Sequence, residues 1–136
     1  MLSAQQAYEE LSYYTLAHPS PEFIHQYVVD AYTAQTADDH TKPIALTFAL
    51  VGLYLHVEKG YTGREVQLIH TQLAAGRRAW PAFERPRERG ELSVADVLAV
   101  PAGPERDAKL DAWCASVWKG WNASREQVIA IRKGFP

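Results

Sequence analysis

Residues 44–57 read IALTFALVGLYLHV, a run interrupted by polar side chains only at Thr47 and His56. A helix that is apolar around its whole circumference has no face to offer water, so it must be covered on every side. The run therefore predicts a helix through the centre of the fold, over about residues 43–58. It falls short of the ~20 apolar residues that a bilayer span needs. Pro43 suits the first turn, where a missing N–H costs nothing, and Gly60 after Glu58 and Lys59 is the expected stop. Gly52 weakens such a helix by about 1 kcal/mol relative to Ala, and in return it lets another helix approach.

The rest of the chain supplies the cover. Ala4, Ala7, Tyr8, Leu11, Tyr14 and Thr15 fall at helical spacing after Ser3. Pro19 and Pro21 end that helix and open a second, over about 21–35, with Ile24, Val28 and Ala31 in line and Phe23, Tyr27 and Tyr32 beside them. The polar segment 36–42, TADDHTK, is a turn in which Thr41 or a neighbour can cap the central helix. Thr62 and Glu65 have capping-box spacing at the start of a fourth helix, whose buried line is Val66, Ile69 and Leu73.

From residue 77 the composition shifts to RRAWPAFERPRERG. An ordered crossing loop over 77–92 is expected, pinned by Trp80 and Phe83. Ser93 begins a short helix, and Gly103-Pro104 begins a longer one. On the longer helix Leu110, Trp113, Val117 and Trp121 share a face. Ser124 opens the last helix, with Gln127 in the reciprocal capping position. No segment sustains period-two alternation. The reading is all-α, a compact bundle of about seven helices in a single domain, 1–136. It has a four-helix part (1–76), the crossing loop (77–92) and C-terminal helices (93–136) packed on it.

Charge excludes some partners. Fourteen Lys and Arg stand against 16 Asp and Glu, a net charge of −2 with His neutral, which gives no electrostatic reason to bind nucleic acid or an anionic membrane. The arginines of the crossing loop (Arg77, Arg78, Arg85, Arg87 and Arg89) are offset by Glu84, Glu88 and Glu91. The single Cys114 cannot form an internal disulfide, and the polar, acidic N-terminus lacks a signal peptide's basic start and apolar run. A cytoplasmic protein is expected. Flanked by Trp113, Ala115 and Val117, Cys114 reads as a buried, inert thiol.

The histidines carry the chemical clue. All five (His18, His25, His40, His56 and His70) precede residue 71. If helices joined by short connections run antiparallel, the start of the second helix, the end of the third and the start of the fourth meet at one pole. That gathers His18, His25 and His56 at a rim, with Asp30 and His70 a layer deeper. Gln26 and Asp30 share a helical face four residues apart. Tyr14 adds a hydroxyl, and the N–H groups at Thr62, Gly63 and Arg64 are positioned to hold an anion.

Three chemistries suit such a set. His18, His25, His56 and His70 are ordinary ligands for a divalent metal ion. His25 or His56 with Asp30 can act as general base, the carboxylate orienting the ring. Tyr14, Gln26 and Arg64 can hydrogen-bond a bound organic molecule. Plainer readings stand beside these: His56 bonding a carbonyl at its own helix end, His25 and His70 satisfied at the core edge, His40 solvated beside Asp38 and Asp39. There is no HExxH and no Cys/His cluster.

Several segments together, YYTLAHPSPEFIHQYVVDAYTAQTADDHTKPIALTFALVGLYLHVEKGYTGREVQ, WPAFERP, SVADVL and DAWCASVW, resemble a family of uncharacterised small bacterial proteins that carries a domain-of-unknown-function label. The resemblance runs from about Tyr13 to Trp118 and implies a small, stand-alone bacterial protein, with no catalytic residues to transfer. A likeness at architecture level only is to DinB-like helical bundles, which hold a metal with histidines from different helices; their ligand spacing is not clearly matched here. Two functions are therefore expected to compete. One is a His/Asp-lined pocket for a metal ion or small molecule, with or without catalysis. The other is a non-catalytic interaction protein, homodimeric, suggested by four Trp, seven Tyr and four Phe in so short a chain.

Overall fold

The computed structural model describes residues 2–18, 20–76 and 79–134. Every regular element among them is helical: α1 (Ala4–Ala17), α2 (His25–Thr36), α3 (Pro43–Lys59), α4 (Gly63–Gly76), α5 (Val94–Leu98), α6 (Pro104–Gly120) and α7 (Arg125–Lys133), with a 3₁₀ turn at Asn122–Ser124. The all-α expectation holds.

α3 is the central helix. Leu46, Thr47 and every residue from Ala49 to Leu55 are buried, because α2, α4, α6 and α7 all pack on it. Pro43 occupies its first turn. Gly60 closes it in the left-handed region (φ 71°), and the Tyr61 N–H bonds back to Leu55 O at 3.0 Å. Such a closure satisfies carbonyls that a helix end otherwise leaves bare. Thr41 is not the cap: its hydroxyl accepts from the Asp38 N–H, and Lys42 precedes the helix without a side-chain bond.

The notch at Gly52 has an unexpected occupant. A Cβ there would lie 1.9 Å from Oδ2 of Asp30, so the α2 carboxyl fills the space where a helix backbone was expected to approach. α6 is also more than an outer layer on a finished four-helix bundle. It packs directly on both α2 and α3, whereas α1 lies on α2 and α5. Its Leu110, Trp113, Val117 and Trp121 face is fully inside, as the spacing predicts.

The crossing loop is tied down by polar bonds as well as by aromatics. Gln35 donates to Leu92 O (2.7 Å) and accepts from the Trp113 indole (2.9 Å). The Arg89 guanidinium donates to Ala37 O and Pro86 O and lies over the Trp121 ring. Phe83 is buried and Trp80 meets the Phe48 ring edge-on. Arg77 and Arg78, like Pro19, fall outside the described residues.

Two expected boundaries move. α2 begins at His25, four residues late, because Phe23 has φ 56° and breaks the helical path. Gln127 does not cap α7; its amide reaches across to Ala82 O, and the 3₁₀ turn leads in instead. At the other end of α3, Glu58 accepts from the Trp118 indole (2.7 Å) and from Nε and Nη2 of Arg125 (2.8 and 2.7 Å), joining α3, α6 and α7.

Candidate functional site

The pole foreseen from helix direction exists. The end of α1, the turn before α2, the end of α3 and the first half of α6 surround a cleft of about 480 Å³. Tyr14, His18, Ser20, Glu22, Tyr27, His56, Thr62, Asp107 and Asp111 supply its polar lining, with Ile24 and Leu110 as apolar wall.

His56 is its best-defined group. The ring stacks on Tyr27, with centroids 3.5 Å apart and planes 17° from parallel. Nε2 lies 3.0 Å from Asp111 Oδ1, and Nδ1 has a longer contact, 3.4 Å, with Tyr61 O. Both neighbours accept hydrogen bonds, so both are satisfied only by a ring that donates from each nitrogen. The helix-end carbonyl reading of His56 is therefore half right: Tyr61 O takes one side, and a carboxylate from α6 takes the other. The imidazole is 14% exposed and Asp111 63%, so the pair spans from the wall of the cleft to solvent.

The phenols are fixed around it. Tyr27 donates to Tyr61 O at 2.9 Å. Burial, and after it the negative charge of Asp111 and Glu22, holds the Tyr27 hydroxyl in its protonated form well above the usual phenol range. Tyr14 donates to Asp107 Oδ1 and accepts from the Gly103 N–H, each at 3.0 Å, which binds α1 to the start of α6. His18 turns Nδ1 onto Tyr14 O at 2.8 Å.

The other expected site residues divide. His25 is next to the cleft without lining it; its Nδ1 meets Thr15 Oγ1 at 3.0 Å, and burial lowers its tendency to charge. Thr15 directs its own hydrogen at the carbonyls of Leu11 and Ser12, so the His25 Nδ1–H is the donor to it. Gln26 and Asp30 do pair as their spacing suggests, Nε2 to Oδ1 at 3.0 Å, yet they lie outside the cleft. Asp30 faces the α3 side of α2, only 3% exposed, with Oδ2 buried and unpartnered. Burial raises its acidity constant well above the usual carboxylate range, against the smaller opposing effect of Gln26.

His70 must be moved. It belongs to the other half of α3, where Nε2 bonds Phe48 O at 2.7 Å and the ring stacks on Phe48. The antiparallel estimate put it beneath the pole; α4 instead carries it past the middle of α3. Arg64 is exposed and lies over the Phe23 ring, 5.2 Å from its centroid, away from the cleft. The four histidines expected as metal ligands thus have separate partners, and among the described residues no group of three or more His, Cys, Asp or Glu is arranged to hold a metal ion.

The anion site expected at the start of α4 is closed as well. The Thr62 N–H bonds the Glu65 carboxylate, Glu65 N–H bonds Thr62 Oγ1, and Arg64 N–H bonds Glu22 O. The capping box consumes what an anion would have used.

Sequence reasoning missed Glu22, Asp107 and Asp111. Asp107 and Asp111 are four apart, so a shared helical face was readable. That α6 would lay this face across the end of α3 was not.

Compared with known proteins, residues 3–122 match a family model described as a family of unknown function, DUF5946. No curated protein and no solved structure matches the chain, and the likeness to DinB-like bundles gains no support from these comparisons.

Proposed function

The chain belongs to this family of unknown function, and from its own geometry we propose that it binds a small organic molecule in the polar cleft, with the His56–Asp111 pair as the group that meets it. One observation carries the reading. A concave space of about 480 Å³, within the usual range for ligand sites, has an imidazole held between an aromatic face and a carboxylate in its wall. Such a pair is also equipped to hand a proton to a ligand or take one from it, which keeps an enzymatic role within the proposal. A cytoplasmic location belongs to it too, resting on the lone, buried Cys114.

The test is a fragment screen by heteronuclear NMR on untagged, isotope-labelled protein. Binders are expected to shift the signals of His56, Tyr61 and Asp111, and His56→Ala is expected to abolish those shifts while the variant still melts cooperatively. A screen in which no fragment moves these residues would overturn the reading. Metal content of the same preparation by mass spectrometry separates the competing occupant: near-stoichiometric metal, lost in His56→Ala, would make this a metal site instead.

The homodimer alternative draws on a different face. Trp113, Trp118 and Trp121 are buried in the core, so most of the indoles that motivated it serve internal packing. What still favours it is the exposed trio Leu2, Tyr13 and Leu16 along α1, and light scattering at micromolar concentration decides it.

A further inference from the structure

Hydrogen-bond donors in the cleft are nearly all spent. Tyr14 donates to Asp107, Tyr27 to Tyr61 O, and the His18 ring to Tyr14 O. A doubly protonated His56 has both N–H groups directed at Asp111 and Tyr61 O. The backbone donors that open α4 are taken by its own capping box and by Glu22 O.

Acceptors remain in surplus. Asp107 and Asp111 each use only Oδ1 within the protein, and Glu22 presents a carboxylate with no bond to its side chain. No Lys or Arg is among the described residues of the lining. The nearest guanidinium, Arg106, lies over the Tyr14 ring with its N–H groups on Val100 O and Leu98 O. A second, independent feature points to an occupant: Ser20 Oγ, in the same wall, is shut off from solvent and has no hydrogen-bond partner in the chain. The field of the carboxylates is already felt inside, where Asp111 and Glu22 reinforce the protonated state of Tyr27.

We infer that the cleft takes a small organic cation, a primary amine or a guanidine on a short apolar body. The inference rests on the reading of the cleft as a ligand site. The charged head supplies the donors that Asp107, Asp111 and Glu22 lack, and the body lies on Ile24 and Leu110 beside the stacked Tyr27. An anion would meet three carboxylates with no free N–H to hold it. A neutral alcohol would satisfy one acceptor and leave the rest to water.

Three probes of one shape test this: benzylamine, benzyl alcohol and benzoate, each titrated into the protein with the His56, Tyr61 and Asp111 signals followed by NMR. Benzylamine should bind about tenfold or more tightly than the alcohol, because its hydrogen bonds to carboxylates are charge-assisted. Benzoate should not shift these signals. Asp107→Asn and Glu22→Gln, both at exposed side chains, should each weaken benzylamine severalfold and leave benzyl alcohol unchanged. If the alcohol or benzoate shifts the cleft signals as strongly as the amine, the cation assignment fails while the ligand site stands. If none of the three moves them, both readings fail together. Equal benzylamine affinity in the two variants and the parent protein also sinks the assignment.

Discussion

Asp30 shows how one side chain can set the pH response of a whole fold. Its carboxyl is in the core between α2, α3 and α4, with Gln26 on one oxygen, and with Gly52 and Val66 against the other. The titratable group facing it from α6 is Cys114, itself pushed well above the usual thiol range by burial first and by Asp111 and Asp30 after it. A raised value in the folded state means that the native protein holds a proton the unfolded chain releases near pH ~3.9. The stability this contributes is complete below that unfolded value and is lost as pH rises through the folded one. Asp30→Asn keeps the shape and the Gln26 bond and cannot ionise. It should flatten the decline of stability with pH, which for a single proton is about 1.4 kcal/mol per pH unit across that window. Urea unfolding over a pH series measures it; an unchanged slope in the variant would show that Asp30 is charged in the native state. From sequence alone, this residue in mid-helix reads as surface as readily as catalytic, because helical periodicity cannot tell a carboxyl that faces solvent from one seated in a glycine notch.

Between elements, two glycines decide how closely helices and turns approach, and they differ in what they face. A methyl at Gly52 meets the end of a side chain, Asp30 Oδ2 at 1.9 Å, with Val66 Cγ1 at 3.2 Å. A methyl at Gly63 meets backbone, Phe23 O at 1.9 Å and Glu22 O at 2.9 Å, in the turn that delivers Glu22 to the cleft. Gly52→Ala should cost roughly 1–3 kcal/mol, as overpacking a core does. Adding Asp30→Ala should restore part of it, a coupling that a double-mutant cycle reads directly. No comparable relief is open to Gly63→Ala, since a carbonyl cannot rotate away, so it should be at least as destabilising and should also perturb ligand binding. Thermal melts of the four variants check the order; full additivity of Gly52→Ala and Asp30→Ala would refute the contact. The central helix was legible because an apolar circumference admits a single solution. The Thr62 and Glu65 box was legible because both of its bonds are local. The start of α2 was not: Phe23 at φ 56° is held in a strained region by its surroundings and not by any local signal.

At the scale of the molecule, what holds the fold and what forms the cleft are largely different residues. Gln35, Arg89, Trp113 and Trp121 fasten the crossing loop between α2 and α6. Tyr14, His56, Asp107 and Asp111 gather at helix ends around the cleft, with Asp111 well exposed. The histidine half of that gathering could be foreseen from chain direction, and the carboxylate half could not, because the packing of α6 on α2 and α3 depends on contacts distant in sequence. The separation makes stability and binding independently removable. Arg89→Ala strips donors from the carbonyls of Ala37 and Pro86 and uncovers the Trp121 ring, so it should lower stability by roughly 1–3 kcal/mol. Benzylamine affinity of the folded fraction should not change. Asp111→Ala should do the reverse, within about 0.5 kcal/mol of the parent in unfolding because an exposed ion pair contributes little, yet with binding reduced tenfold or more. Unfolding and binding measured on both variants form a two-by-two test. If Asp111→Ala instead unfolds early with its residual binding intact, the His56–Asp111 contact is a clasp that fastens α6 to α3, and the cleft is where two helix ends meet without a ligand between them.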